Sequence, residues 1–329
     1  MELIKPVVVG DHLRELAGRM GDKSAFSAID VGCRGSVCPD LTGIGVCVDV
    51  MGFDADARAT DFPPGESRGW RSLRVRSTPL GRRDEAGVLY VTHAPGCSSL
   101  LPADRPLAES FSRGHRYETE RTVDLVTQAL DDVVRDEAVD HPRYMKIDVQ
   151  GWEQAVFDGA SSLLAEELVA VRTEVSFRPI YRGQPLFSGI DESLQSRGLR
   201  PVGFPELHAW RRDSERRPGQ LAGGERPFSR GELIHGDVLY LMDPDVLPGR
   251  AGDVVHMGAS AGVIALAYGL VDYAAAVWSI PAVAAGLRER LGIDPEAVLS
   301  RVSREQAGAF RRRELSAAWR ALRLAIRGR

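Results

Sequence analysis

Two apolar runs, each ending in an acid and then a glycine-bearing turn, constrain this chain most. The first is Ala28-Ile29-Asp30-Val31-Gly32-Cys33-Arg34-Gly35, and the second is Tyr144-Met145-Lys146-Ile147-Asp148-Val149-Gln150-Gly151-Trp152-Glu153. Short apolar runs bounded by glycine turns read as strands buried on both faces, as in parallel sheets. In open α/β sheets, ligands bind beyond the carboxyl ends of such strands. Two acids at two such ends, far apart in sequence, predict one shared crevice.

The rest of the chain supports an α/β reading. Further strands are predicted at Val46 to Phe53, Leu73 to Val75, Gly87 to Thr92, Val169 to Val175, Leu199 to Phe204 and Val238 to Met242. Helical spacing covers Val123 to Val134, through Val126, Leu130 and Val133, and again Gln154 to Leu164. Strands alternating with helices predict a doubly wound, mostly parallel sheet covered on both faces. The polar stretch from Trp210 to Arg230 reads as a surface loop or lid. Pro244, Pro248, Gly249 and Gly252 mark a linker. Residues 1–248 are therefore expected to form the α/β domain, and 249–329 a helical C-terminal extension serving oligomerisation or docking.

That extension contains Gly258 to Trp278, whose single charge is Asp272. The length approaches a membrane span. However, Val263, Leu266, Leu270, Ala274 and Val277 fall on one helical face, which predicts a buried helix or an oligomer contact. Leu315, Trp319, Leu322 and Ile326 form an apolar stripe among Arg311, Arg312, Arg313, Arg320, Arg323, Arg327 and Arg329. A basic helix of this kind suits a solvated packing face or peripheral contact with an anionic membrane.

A net charge of −4 gives no overall attraction to nucleic acid. The first residues, Met1 to Pro6, lack the apolar core of a secretory signal. Cys33, Cys38, Cys47 and Cys97 form no C-x-x-C pair, so they read as cytosolic thiols rather than metal ligands. A cytoplasmic protein without a metal is expected.

Asp30-x-Gly32-x-x-Gly35 after a strand allows backbone N–H groups to approach an anionic ligand closely. An acid ending the next strand accepts hydrogen bonds from a ribose. Asp54 ends its apolar run and is preferred to Asp49. A nicotinamide site usually opens with a glycine where Asp30 stands. An acid there favours S-adenosylmethionine, whose amino group needs a carboxylate.

With Lys146 to Glu153 added, the chain resembles the FkbM family of S-adenosylmethionine-dependent methyltransferases. The supporting segments come in order: Ile29 to Gly32, Gly52 to Asp56, Pro95 to Leu100, Ala129 to Asp131, Lys146 to Glu153, Thr173 to Tyr181 and Gly198 to Phe204. The resemblance covers residues 24 to 245. It implies a Rossmann-like class I methyltransferase fold and methyl transfer to a hydroxyl on a sugar-containing or secondary-metabolite acceptor. The cofactor is then expected to be held by Asp30, Gly32, Arg34, Gly35 and Asp54, with Asp131 near its edge. Ser98 and Ser99 are expected to face the acceptor. The sequence departs from the family at Cys33-Arg34, in a short segment before Val46 that leaves a full first helix doubtful, and at Gln150, where many relatives carry Glu.

Methyl transfer to a hydroxyl needs alignment and a proton acceptor near the oxygen. Asp148 is the first candidate, alongside a role in capping or holding the cofactor's amino group. Glu174, ending the next strand, is the second. Glu153 fits a cap or surface position. Arg178, Tyr181 and Arg182 suit a sugar or phosphate-bearing acceptor. His93, His115 and His208 lack ligand spacing and read as structural or surface residues. The competing readings are a nicotinamide-dependent oxidoreductase and a non-catalytic carbohydrate-binding or assembly module.

Overall fold

The computed structural model describes residues 3–7, 9–56, 69–212 and 230–327, with side chains described as far as residue 312. Its strands are β1 (Phe26–Val31), β2 (Val48–Phe53), β3 (Ser72–Arg76), β4 (Ala86–Thr92), β5 (Thr119–Val126), β6 (Pro142–Ile147), β7 (Ala170–Ser176), β8 (Leu199–Trp210) and β9 (Glu232–Met242). Seven of them form one sheet in the order β3-β2-β1-β6-β7-β9-β8. Strands β1, β2, β3, β6 and β7 run parallel. Strand β9 inserts antiparallel between β7 and β8. Every residue of β1 and β7 is buried, as expected for inner strands of a sheet covered on both faces. The chain winds outward through β2 and β3 on one side of β1, then returns to place β6 on the other. The switch point thus lies between β1 and β6, and a crevice opens at their carboxyl ends.

The helices are α1 (Asp11–Lys23), α2 (Arg105–Glu109), α3 (Leu130–Asp136), α4 (Glu153–Asp158), α5 (Ser161–Glu166), α6 (Phe187–Gln195), α7 (Val254–Ala267), α8 (Val271–Trp278), α9 (Pro281–Leu291) and α10 (Pro295–Arg327). Helix α1 buries Leu13, Leu16, Ala17 and Met20, a stripe at helical spacing. Between β1 and β2 stands a 3-10 segment, Pro39–Cys47, in place of a full helix.

Several expectations need correction. The span Val123 to Val134 is not one helix. Its first part belongs to β5, paired antiparallel with β4 in a separate ribbon, and its second part is α3. Thr127 breaks the helical spacing, because its hydroxyl bonds the Arg82 carbonyl at 2.6 Å and its own carbonyl accepts from Asp84. Gln154 to Leu164 divides into α4 and α5 at Gly159, where a Cβ would overlap the Gly81 carbonyl oxygen. The segment taken as a loop from Trp210 begins later, since β8 runs through Trp210. Residues 213–229 lie outside the described residues.

Gly258 to Trp278 is not one helix either. Gly269, at φ +77°, ends α7 before α8 begins. Among the described residues no helix is long and apolar enough to cross a membrane. Asp253 caps α7, accepting from Val255 and His256 N–H at 2.9 and 3.2 Å. The alanines and glycines of α7 permit close helix packing. A Cβ on Gly262 would overlap the Trp278 indole, and the indole Nε1 donates to the Gly258 carbonyl at 3.0 Å. The apolar core runs without interruption from Ile29 and Tyr144 in the sheet to Ile264 and Val283 in the C-terminal helices. The side chains of Leu315, Trp319, Leu322, Ile326 and the arginines from Arg313 onward lie outside the described residues.

Candidate active site

Two adjoining cavities open at the switch point. The smaller, about 190 Å³, lies over the ends of β1 and β2 and is walled by Phe53, Asp54, Leu80, Leu89 and Trp152. The larger, about 470 Å³, lies over β6, β7 and β9 and is lined by Glu174, His235, Asp237 and Trp210. Gly32, Arg34, Gly96, Asp148 and Gln150 line both. A molecule in one cavity would therefore meet a molecule in the other at Asp148 and Gln150.

The turn after β1 depends on Gly32. Its φ is +82°, and a Cβ there would overlap the Asp148 carbonyl oxygen. The two acid-bearing strand ends thus meet backbone to backbone. Gly35 also has φ +82° but lines neither cavity. Asp54 lines the smaller cavity and accepts the Asp56 N–H at 2.8 Å; burial raises its pKa. Arg34 lines both cavities and pairs with Asp56 at 2.9 Å. Asp49 points elsewhere, to Arg71 and Ser72.

Two more of the expected cofactor residues lie outside the lining of both cavities. Asp30 is fully buried and lines neither cavity. Its carboxylate accepts the Cys38 N–H at 2.6 Å and pairs with Lys146 Nζ at 3.3 Å. It therefore braces the turn from below. Asp131 caps α5, accepting from Ser162 and Leu163 N–H at 2.9 and 3.0 Å, and lines neither cavity.

On the acceptor side a hydrogen-bonded chain links β6, β7 and β9. Gln150 Nε2 donates to Asp148 Oδ1 at 2.7 Å and to Glu174 Oε2 at 3.0 Å. Glu174 Oε1 lies 2.8 Å from His235 Nδ1. Burial first, then the charges of Asp148, Glu153 and Asp237, raise the Glu174 pKa well above the usual carboxylate range. Burial and neighbouring cations push His235 down to about 4. Both shifts disfavour an ion pair between the two groups. Tyr181 anchors the chain, its hydroxyl 2.9 Å from Gln150 Oε1 and 2.9 Å from the Cys97 carbonyl.

The turn 148–152 is held from beneath. Gln150 and Gly151 have φ of +56° and +99°. Buried Glu153 Oε1 accepts N–H bonds from Val149 and Gly151, both at 3.1 Å. Ser99 is buried and donates to the Gln150 carbonyl at 2.7 Å, while Ser98 Oγ accepts the Thr92 N–H at 3.1 Å. Both serines line the smaller cavity, not the larger. Arg178 pairs with Glu232 at 3.2 Å, and neither it nor Tyr181 lines a cavity.

The sequence reading passed over His235 and Asp237, and also Arg113, Arg116, Arg172 and Trp210, all of which line the larger cavity. His235 and Asp237 are two apart on β9, so they share a face; that alternation was the available signal. His208 was read as a lone residue, but it stacks on His235 with ring centroids 4.5 Å apart.

Residues 58–201 match the family model described as the methyltransferase FkbM domain. The match makes this part of the chain similar to that domain and covers less than half of the chain. The match spans β3 to the start of β8, so the glycine turn after β1 and the C-terminal helices lie outside it. Methyltransferase FkbM from Methylobacillus flagellatus is 13% identical, with a TM-score of 0.31, over 66% of this chain and 44% of that one. The chain thus spans less than half of that protein. A TehB-like S-adenosylmethionine-dependent methyltransferase from Corynebacterium glutamicum is 13% identical, with a TM-score of 0.25, over 70% of this chain and 88% of that one. Likenesses this distant add nothing to the fold described above. No curated protein matches.

Proposed function

We propose that this protein is an S-adenosylmethionine-dependent O-methyltransferase acting on a hydroxyl of a sugar-containing or secondary-metabolite acceptor. The observation that carries this is the pair of cavities meeting at Asp148 and Gln150. The smaller cavity suits the cofactor. Asp54 offers a carboxylate for a ribose diol, Phe53, Leu80, Leu89 and Trp152 offer apolar walls for a base, and Gly32 and Gly96 leave the backbone bare. Trp152 Nε1 is a buried donor without a partner among the described residues, which suits a base nitrogen or hydroxyl.

When bound, S-adenosylmethionine supplies an electrophilic methyl group on a sulfonium. The chain's own residues supply position and proton handling. Burial and nearby acids favour the protonated form of Glu174, which makes it a poor base. Asp148 lines both cavities and takes the proton from the acceptor hydroxyl as its oxygen is methylated. Gln150 holds Asp148 and Glu174 apart with one amide group, so Asp148 keeps its second oxygen for the acceptor. Asp30, being engaged by Lys146, leaves the cofactor's amino group to the residues at the cavity junction.

The test is calorimetric titration with S-adenosylhomocysteine, with Asp54→Ala and Asp30→Ala variants and an NAD control. Binding that Asp54→Ala weakens about tenfold or more supports the reading. A folded protein that binds NAD and not S-adenosylhomocysteine refutes it.

A further inference from the structure

The larger cavity carries an imbalance of charge that the proposed chemistry does not use. Most of its cations are already paired. Lys146 is held by Asp30 at 3.3 Å. Arg172 is held by Asp40 and Asp237, with Glu206 at 3.3 Å. Arg34 is held by Asp56. Arg113 and Arg116 are different: among the described residues neither has a carboxylate in ion-pair range, and both line this cavity. They do not line the smaller cavity.

These arginines are held in place by the fold. Arg113 Cζ lies 4.8 Å from the centre of the Trp210 ring. The 3-10 turn Gly114–Tyr117 that follows is pinned by the Arg116 N–H bond to the Arg113 carbonyl at 3.0 Å. The Ala94 N–H bonds the Arg116 carbonyl at 3.2 Å. Beneath lies a second apolar cluster, which includes Phe111, Tyr117, Tyr181 and Trp210. The Arg113 guanidinium, stacked on Trp210, loses little freedom on meeting a ligand, the Arg116 backbone is fixed beside it, and a guanidinium fork matches a carboxylate or phosphate. The positive field is felt within the site, since both arginines help depress the His235 pKa. Across the cavity, Asp148 marks the end where a hydroxyl would lose its proton.

We propose that the acceptor is an anionic, hydroxyl-bearing sugar ring, a uronic acid or a sugar phosphate, whose anion Arg113 and Arg116 hold while its hydroxyl faces Asp148. This rests on the methyltransferase reading for the hydroxyl, but the anion site is tested without it. Ligand-observed NMR on the full chain, with S-adenosylhomocysteine present and absent, would compare D-glucuronate, glucose 6-phosphate and D-glucose. At least one anion should bind about tenfold or more tightly than glucose, and the two anions separate a carboxylate partner from a phosphate. Arg113→Gln and Arg116→Gln should each remove most of that preference, and Arg116→Lys should keep part of it. S-adenosylhomocysteine affinity and melting temperature should stay unchanged in all three. Equal binding of the three sugars, no binding by either anion, or a preference that survives both Gln variants overturns the proposal. If the anion preference holds but S-adenosylhomocysteine never binds, the anion site stands and the methyltransferase reading fails.

Discussion

Glu153 offers a quantitative handle on the turn that positions Asp148 and Gln150. Its carboxylate is buried, with Oε1 accepting the Val149 and Gly151 N–H groups. Burial, opposed by those bonds and aided by Asp148, raises its pKa from 4.5 to about 7. A raised folded-state pKa means that the folded chain binds a proton the unfolded chain has released. Stability is then full below the unfolded value and falls as pH rises through the folded one. At 1.36 kcal/mol per unit, the shift corresponds to about 3 kcal/mol. Glu153→Gln keeps an oxygen for both N–H groups and removes the titration. The variant should match the parent at about pH 4.5 and exceed it by about 3 kcal/mol at about pH 8. That gap corresponds to ~4 °C in melting temperature for a chain of this size. Calorimetric melting of both proteins across that range, at one ionic strength, reads the difference directly. A difference that stays flat with pH would refute the buried, proton-holding Glu153.

Other substitutions probe neighbouring contacts. Gly32→Ala places a Cβ against the Asp148 carbonyl at a left-handed φ; it should cost about 2 kcal/mol or more and weaken S-adenosylhomocysteine binding by about tenfold or more, read by melting and calorimetry. Tyr181→Phe strips a donor from the Cys97 carbonyl and Gln150 Oε1 and should lower stability by about 1–3 kcal/mol in urea unfolding. A chain ended at Gly252 loses α7, which is buried from Val255 to Ala267, and the Tyr268 hydroxyl bonds to Tyr144 and Asp40 at 2.9 and 2.6 Å. It should lack near-UV dichroism and a cooperative unfolding transition; a sharp transition would show that the α/β part folds alone.

The sequence by itself determined the inner strands and the glycine turn after β1. These are local properties. A strand buried on both faces must be an unbroken apolar run, and a left-handed turn against backbone must be glycine. Only the tertiary structure decided which acids are free. Asp30 and Asp148 end similar runs, yet Lys146 on β6 captures Asp30 while Asp148 reaches both cavities. Glu174 and His235 are distant in sequence and meet because β9 runs antiparallel beside β7. The break between β5 and α3 likewise comes from Arg82, Asp84 and Glu85 bonding Thr127 from another segment. Helical spacing cannot register such partners. Protonation, capping and pairing depend on neighbours that the register of the sheet brings together, so they become legible only once the chain has folded.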